Sequence, residues 1–192
     1  MTQDLLQNAD SLSANHEVVH VEPAQAETVS ISTEKLQTRQ RRILATIAIP
    51  QTLEQVWQVL TDYERLADFI PSLTVSRRIA HPKGGIRLEQ VGAQCFLNIK
   101  FCARVILDMY ESFPAELGFS MVEGDFKQFM GAWRLQPASI AGQPGTLLSY
   151  EVMVQPPLAM PTTLIERHIC HNLTQNLQAI RQQTIKLFSA EG

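Results

Sequence analysis

From Ile43 onward the chain alternates between stretches of period two and stretches of period near 3.6. Ile43, Ala45, Ile47 and Ile49 recur every second residue, which predicts a half-buried strand ended by Pro50. Thr52 and Gln55 stand at capping-box spacing, and Leu53, Val56, Trp57 and Leu60 then share one helical face. Asp62 offers a cap for a second short helix with Tyr63, Leu66, Phe69 and Ile70 as its apolar positions. Pro71 stops it, because the residue before a proline avoids helical geometry.

The period returns to two at Leu73. Strands are expected over 73–80, 86–95, 97–111, 117–123, 126–136 and 146–155. The punctuation is His81 to Gly85, Phe113 to Ala115, Glu123 to Asp125, and a longer loop from Pro137 to Gly145. Strands joined by such short loops pair antiparallel. After Pro156 to Pro161, Thr163 and Glu166 repeat the capping-box spacing. Ile165, Ile169, Leu173, Leu177, Ile180 and Leu187 then form the apolar stripe of a long helix. The order is strand, two short helices, six strands, long helix: an α+β architecture with a seven-stranded curved antiparallel sheet. One helix is too narrow to fill the concavity of such a sheet, which predicts an apolar cavity between them.

Residues 1–38 lack either period. They carry six acids against one lysine and read as a disordered acidic leader, with Thr28 to Ser32 the one stretch that could extend. The globular domain is expected over 39–190, from the basic cluster Arg39-Gln40-Arg41-Arg42. Neither a secretory signal nor an Arg-rich transit pattern is seen. With a net charge of −3 over 192 residues, the chain lacks the basic excess that nucleic acid binding draws on. Cys95, Cys102 and Cys170 give no disulfide framework, which fits a reducing, cytoplasmic compartment.

The wording of the sequence adds to its pattern. Ile49-Pro50, the run Val56-Trp57-Gln58-Val59-Leu60-Thr61-Asp62-Tyr63-Glu64 and Phe69-Ile70-Pro71 resemble the opening of the START-like, polyketide cyclase/dehydrase superfamily. Gly124-Asp125-Phe126, Phe129, Gly131-Ala132-Trp133, Leu135 and Thr146 to Tyr150 resemble the central strands of its coenzyme Q-binding branch, which has cyanobacterial and plastid members. The resemblance runs over about residues 40–187. It implies a helix-grip (Bet v 1-like) fold and a binder, carrier or chaperone of a lipophilic small molecule. A prenylated quinone or another isoprenoid would suit such a cavity.

The expected cavity wall is Trp57, Phe69, Phe101, Phe119, Phe129, Trp133 and Tyr150, with Val152, His168 and Ile169. Any one of these aromatics alone reads as core packing; together they read as a lining. Ile70, Pro157, Leu158 and Met160 are the expected mouth, where a membrane or a donor protein could be touched peripherally while cargo passes. Two histidines at the spacing His168-Ile-Cys-His171 can face one ion, but nothing nearby completes a zinc site, so no metal is assigned. No catalytic motif and no cofactor signature is present, so no catalytic residue is assigned either. Two rival readings stand beside the carrier: an aromatase or cyclase for a polyketide-like substrate, and a protein-interaction module with a vestigial cavity.

Overall fold

The computed structural model describes residues 18–22, 24–96 and 99–189, with the backbone alone at 93–96 and 99–101. The leader's residues 1–17, the end at 190 and the side chains of Cys95 and Phe101 lie outside the described residues. In chain order the elements are β1 (Val19–Val21), β2 (Ser30–Lys35), β3 (Arg41–Ile49), α1 (Leu53–Thr61), α2 (Leu66–Phe69) and β4 (Leu73–Ile79). There follow β5 (Ile86–Phe96), β6 (Ile99–Ser112), β7 (Glu116–Gly124), β8 (Gln128–Ile140), β9 (Gln143–Gln155) and α3 (Thr162–Phe188). The sheet order is β2-β3-β9-β8-β7-β6-β5-β4. This is the expected α+β helix-grip architecture, with β3 to β9 as the seven expected strands.

Two further strands come from the segment read as leader. β2 pairs antiparallel with β3, from Ser30 opposite Thr46 to Lys35 opposite Arg41. It is an edge strand whose residues are all exposed but Ile31, so backbone hydrogen bonds hold it without any apolar period. β1 runs parallel to the end of β8, from Val19 opposite Ala138 to Val21 opposite Ile140. It is the parallel pairing in an otherwise antiparallel sheet. Just after it, Ala26 is buried against Ala48 and Ile140. The sheet therefore begins well before Arg39.

Several local expectations change. The Pro137 to Gly145 loop contracts to a two-residue turn, because the fixed φ of Pro137 is compatible with an extended strand and β8 continues through it to Ile140. Ala141 (φ 51°) and Gly142 (φ 79°) both have the positive φ of a tight hairpin turn. Thr52 does cap α1 in a reciprocal box with Gln55. Asp62, however, closes α1 rather than opening α2, which has no side-chain cap. No side chain caps α3 at Thr163 either. Glu166 is drawn instead to the Arg41 guanidinium on β3, 2.7 Å away. The stripe of α3 ends on Thr184 and Phe188, and Leu187 is exposed, since its position has rotated away from the sheet.

The core lies between one sheet face and the helices. Ile43, Ala45, Ile47 and Ile49 of β3, Val56 and Leu60 of α1, and Leu173, Leu177 and Ile180 of α3 form its closed end. α3 rests on β3, α1 and α2. The opposite sheet face carries cross-strand ion pairs to water: Arg77–Glu89 (2.5 Å), Glu89–Arg104 (2.7 Å), Arg104–Glu123 (2.7 Å) and Arg134–Glu151 (2.8 Å). Arg104–Glu123 is exposed and contributes little, whereas Glu89 is buried beneath the two arginines that pair with it.

Gly131 in β8 lies opposite Phe119 of β7 and Val152 of β9. A Cβ there would run into the backbone carbonyl of Glu151 and come 2.9 Å from the Phe119 ring. Gly131→Ala is therefore expected to destabilise the fold by about 1–3 kcal/mol, the usual cost of overpacking. Urea unfolding checks this, and an unchanged midpoint would contradict the packing described.

Candidate functional site

Between α3 and the half of the sheet it does not touch lies a cavity of about 200 Å3. Its sheet side follows from alternation: Ala103, Val105, Leu107 and Met109 of β6 all point inward, while Asp108 pairs outside with Arg87 at 2.6 Å. Five rings from β7, β8, β9 and the turn before β8 make a continuous array in this wall. Phe126 stacks on Phe129 (5.4 Å between centroids), Phe129 meets Phe119 (5.6 Å), Phe119 stacks on Tyr150 (5.6 Å, 11° between planes), and Tyr150 meets Trp133 at 4.2 Å. Gly131 stands between Phe129 and Trp133 on the same face of β8, and its missing side chain is what admits the Phe119 ring.

Of the wall residues expected from sequence, Phe119, Phe129, Trp133, Tyr150, His168 and Ile169 line the cavity. Trp57, Phe69 and Val152 do not. Trp57 is buried on α1 with its ring edge-on to Phe113 at 5.5 Å. Phe69 packs half-buried against the core, and Val152 is fully buried within it. Phe101 falls among the side chains outside the described residues. Ile70 is a buried wall residue rather than a rim. Pro157, Leu158 and Met160 do not line the cavity, because the first turns of α3, with buried Ile165, separate that loop from His168. Leu158 is 74% exposed. The loop is held to the sheet by Arg39, whose guanidinium donates to the carbonyls of Pro157 (2.7 Å) and Met160 (2.5 Å).

The sequence reading missed the polar members of the wall. Asn172 and Asn176 stand four residues apart on α3, one turn beyond His168, and share its face. Two asparagines within an amphipathic helix read as its solvent face; their inward position follows from where α3 lies. Gln90 of β5 and Ser72 also line the cavity, and Gln90 donates to Ser76 at 3.3 Å. Tyr63, also in the wall, donates to Glu111 at 2.5 Å, and the Arg78 guanidinium lies 5.1 Å from its ring centre.

The ionisable side chains lining the cavity are Tyr63, Tyr150 and His168. Burial raises both tyrosine hydroxyls far above their ordinary range, with the hydrogen bond to Glu111 adding to it at Tyr63. Burial, then the nearby His171, lowers the His168 imidazole. All three are therefore uncharged at neutral pH, and among the described residues the wall carries no formal charge. The two histidines part company, for His168 is buried and His171 exposed. Among the described residues no three His, Cys, Asp or Glu side chains stand close enough to hold a metal ion.

A family model described as polyketide cyclase/dehydrase and lipid transport matches residues 49–181, from the end of β3 through most of α3. The chain belongs to that family. The START superfamily protein of Mycobacterium smegmatis superposes with a TM-score of 0.63 at 16% identity, covering 76% of this chain and 98% of that one. The Zhui aromatase/cyclase of Streptomyces sp. R1128 does so at 0.64 and 15% identity, covering 80% and 99%. At these identities both share the fold. The ribosome association toxin RatA of Escherichia coli K12 is 26% identical over 98 residues, 51% of this chain. The match spans 60% of that protein's length.

The low pKa of His168 has a consequence for stability. An unfolded chain takes up a proton at about pH 6.5, whereas the folded cavity resists it to lower pH. The stability this residue contributes is full above the ordinary imidazole value and is lost as pH falls through it. His168→Gln should flatten the fall in melting temperature between about pH 7 and pH 5; an unaltered slope would mean that His168 ionises freely in the folded state.

Proposed function

We propose that this family member binds a neutral lipophilic small molecule in the cavity and acts as its carrier or chaperone. The carrying observation is the largely apolar wall, uncharged among the described residues, around about 200 Å3 of space. Apolar area removed from water would drive binding, at ~25 cal/mol per Å2 before ordering costs. An apolar cavity of ~150 Å3 takes up a benzene ring, so this one suits a ring with its substituents. A prenylated quinone fits if its ring is held inside while its chain leaves the cavity. That ligand comes from the resemblance to the coenzyme Q-binding branch. Native mass spectrometry of the purified protein, followed by organic extraction, should find an apolar molecule bound. It should be absent from a folded Ala103→Phe variant, in which a ring occupies the space. If nothing co-purifies, and no member of a panel including a short-chain prenylated benzoquinone binds, the carrier reading fails.

The cyclase reading gains less support, since among the described residues the wall offers no carboxylate or ammonium group for acid–base work. Nucleic acid is also disfavoured as a partner. Arg42, Arg77, Arg87, Arg104 and Arg134 are all paired with carboxylates, and the net charge is −3.

Delivery would require contact with a donor or acceptor surface. Leu158 and Leu164 are exposed on either side of the start of α3, at 74% and 45%, and the arginine-held loop displays Leu158 without burying it. No helix among the described residues is long and apolar enough to cross a membrane, so any contact through these residues would be peripheral. In liposome flotation the wild type is expected to co-float and a Leu158→Ser/Met160→Ser variant to do so several-fold less. Equal flotation of the two, or none by the wild type, would rule the loop out as a membrane contact.

A further inference from the structure

Resting on the cavity-binding reading, we propose that the occupant is a hydroxylated ring, such as a phenol or quinol, whose hydroxyl is recognised by Asn172 and Asn176 of α3 and by Tyr150 of β9. The carboxamide oxygens of both asparagines are buried, and neither has a hydrogen-bond partner among the described residues. Both side chains line the cavity. The Asn172 amide nitrogen lies 3.2 Å from His168 Nε2. An amide nitrogen can only donate, so its proton goes to that ring nitrogen and the Asn172 oxygen remains an acceptor. Across the cavity, Tyr150 is 8% exposed and lines the same space. Burial is the one cause that raises its hydroxyl, with no hydrogen bond contributing.

Buried acceptors without donors cost stability unless something supplies the proton. Nearby apolar side chains cannot do so. A ligand group that satisfies the asparagines must donate to a carboxamide oxygen, and one that also meets Tyr150 accepts from its hydroxyl. A neutral hydroxyl does both through one oxygen atom. A carbonyl or an ether could take the tyrosine proton but would leave the asparagine oxygens unmet, and a carboxylate would bring a charge into a wall whose described residues have none to pair with it. Applied to quinones, the same chemistry favours the reduced, hydroxyl-bearing form over the dicarbonyl.

The test uses thymol and thymol methyl ether, which share one ring and differ by a methyl group in place of the hydroxyl proton. Binding is followed by displacement of a fluorescent apolar probe and by isothermal titration. The wild type should prefer thymol by about tenfold or more, as expected of a site built to hydrogen-bond. The ratio of the two affinities should fall toward one in Asn176→Leu and Asn172→Leu, and partly in Tyr150→Phe, with thermal unfolding confirming that each variant folds. If the wild type binds both compounds equally or prefers the ether, the hydroxyl proposal is overturned while the cavity reading stands, a result that needs no variant at all. A preference that survives in both asparagine variants overturns it as well. If neither compound binds, both readings fall together.

Discussion

A single helix has to cover a sheet much wider than itself. The 27 residues of α3 make a rod about 40 Å long and some 10 Å across. The eight strands in the main path of the sheet, at about 4.8 Å each, span nearly 40 Å. α3 therefore satisfies one part of the face, over β3, and stands away from the rest. α1 and α2 fill some of the difference. What remains can be closed only by side chains reaching up from β6 to β9, and large rings reach farthest. The aromatic array, the glycine that admits it and the residual cavity all follow from that mismatch in width. The clamp at the start of α3 holds the mismatch in place: Arg39 grips the loop carbonyls and Arg41 grips Glu166, so the helix cannot slide over the open half of the sheet.

Residues whose role is set by periodicity were legible in the sequence. Alternation along β3, β6 and β9 and the stripe on α3 gave the buried faces, and the capping box at Thr52 gave the start of α1. What escaped was decided by partners distant in sequence. β2 exists because β3 has an unpaired edge, which a polar strand can fill as well as an apolar one. Thr163 and Glu166 have the spacing of a cap, yet Glu166 is 125 residues from the arginine that claims it.

The site was legible to the same degree. Phe119, Phe129, Trp133 and Tyr150 could be placed because each sits on a strand face marked by its neighbours. Trp57 and Phe69 are equally large and apolar, and only the packing of α1 and α2 says that they point into solid core. Asn172 and Asn176 show the converse. Their chemistry argues for water, and the standing-off of α3 puts them inside.

If the protein is the carrier proposed above, the absence of formal charge among the described wall residues bears on traffic. A neutral molecule passing from this cavity to a bilayer leaves no ion behind and needs none to follow it, so no hydration shell is stripped or rebuilt beyond that of the molecule itself. A container of this kind has almost no electrostatic preference between holding and releasing its contents. On that reading the direction of flow would be set by abundance: the cavity would load where the molecule is plentiful and empty where it is scarce.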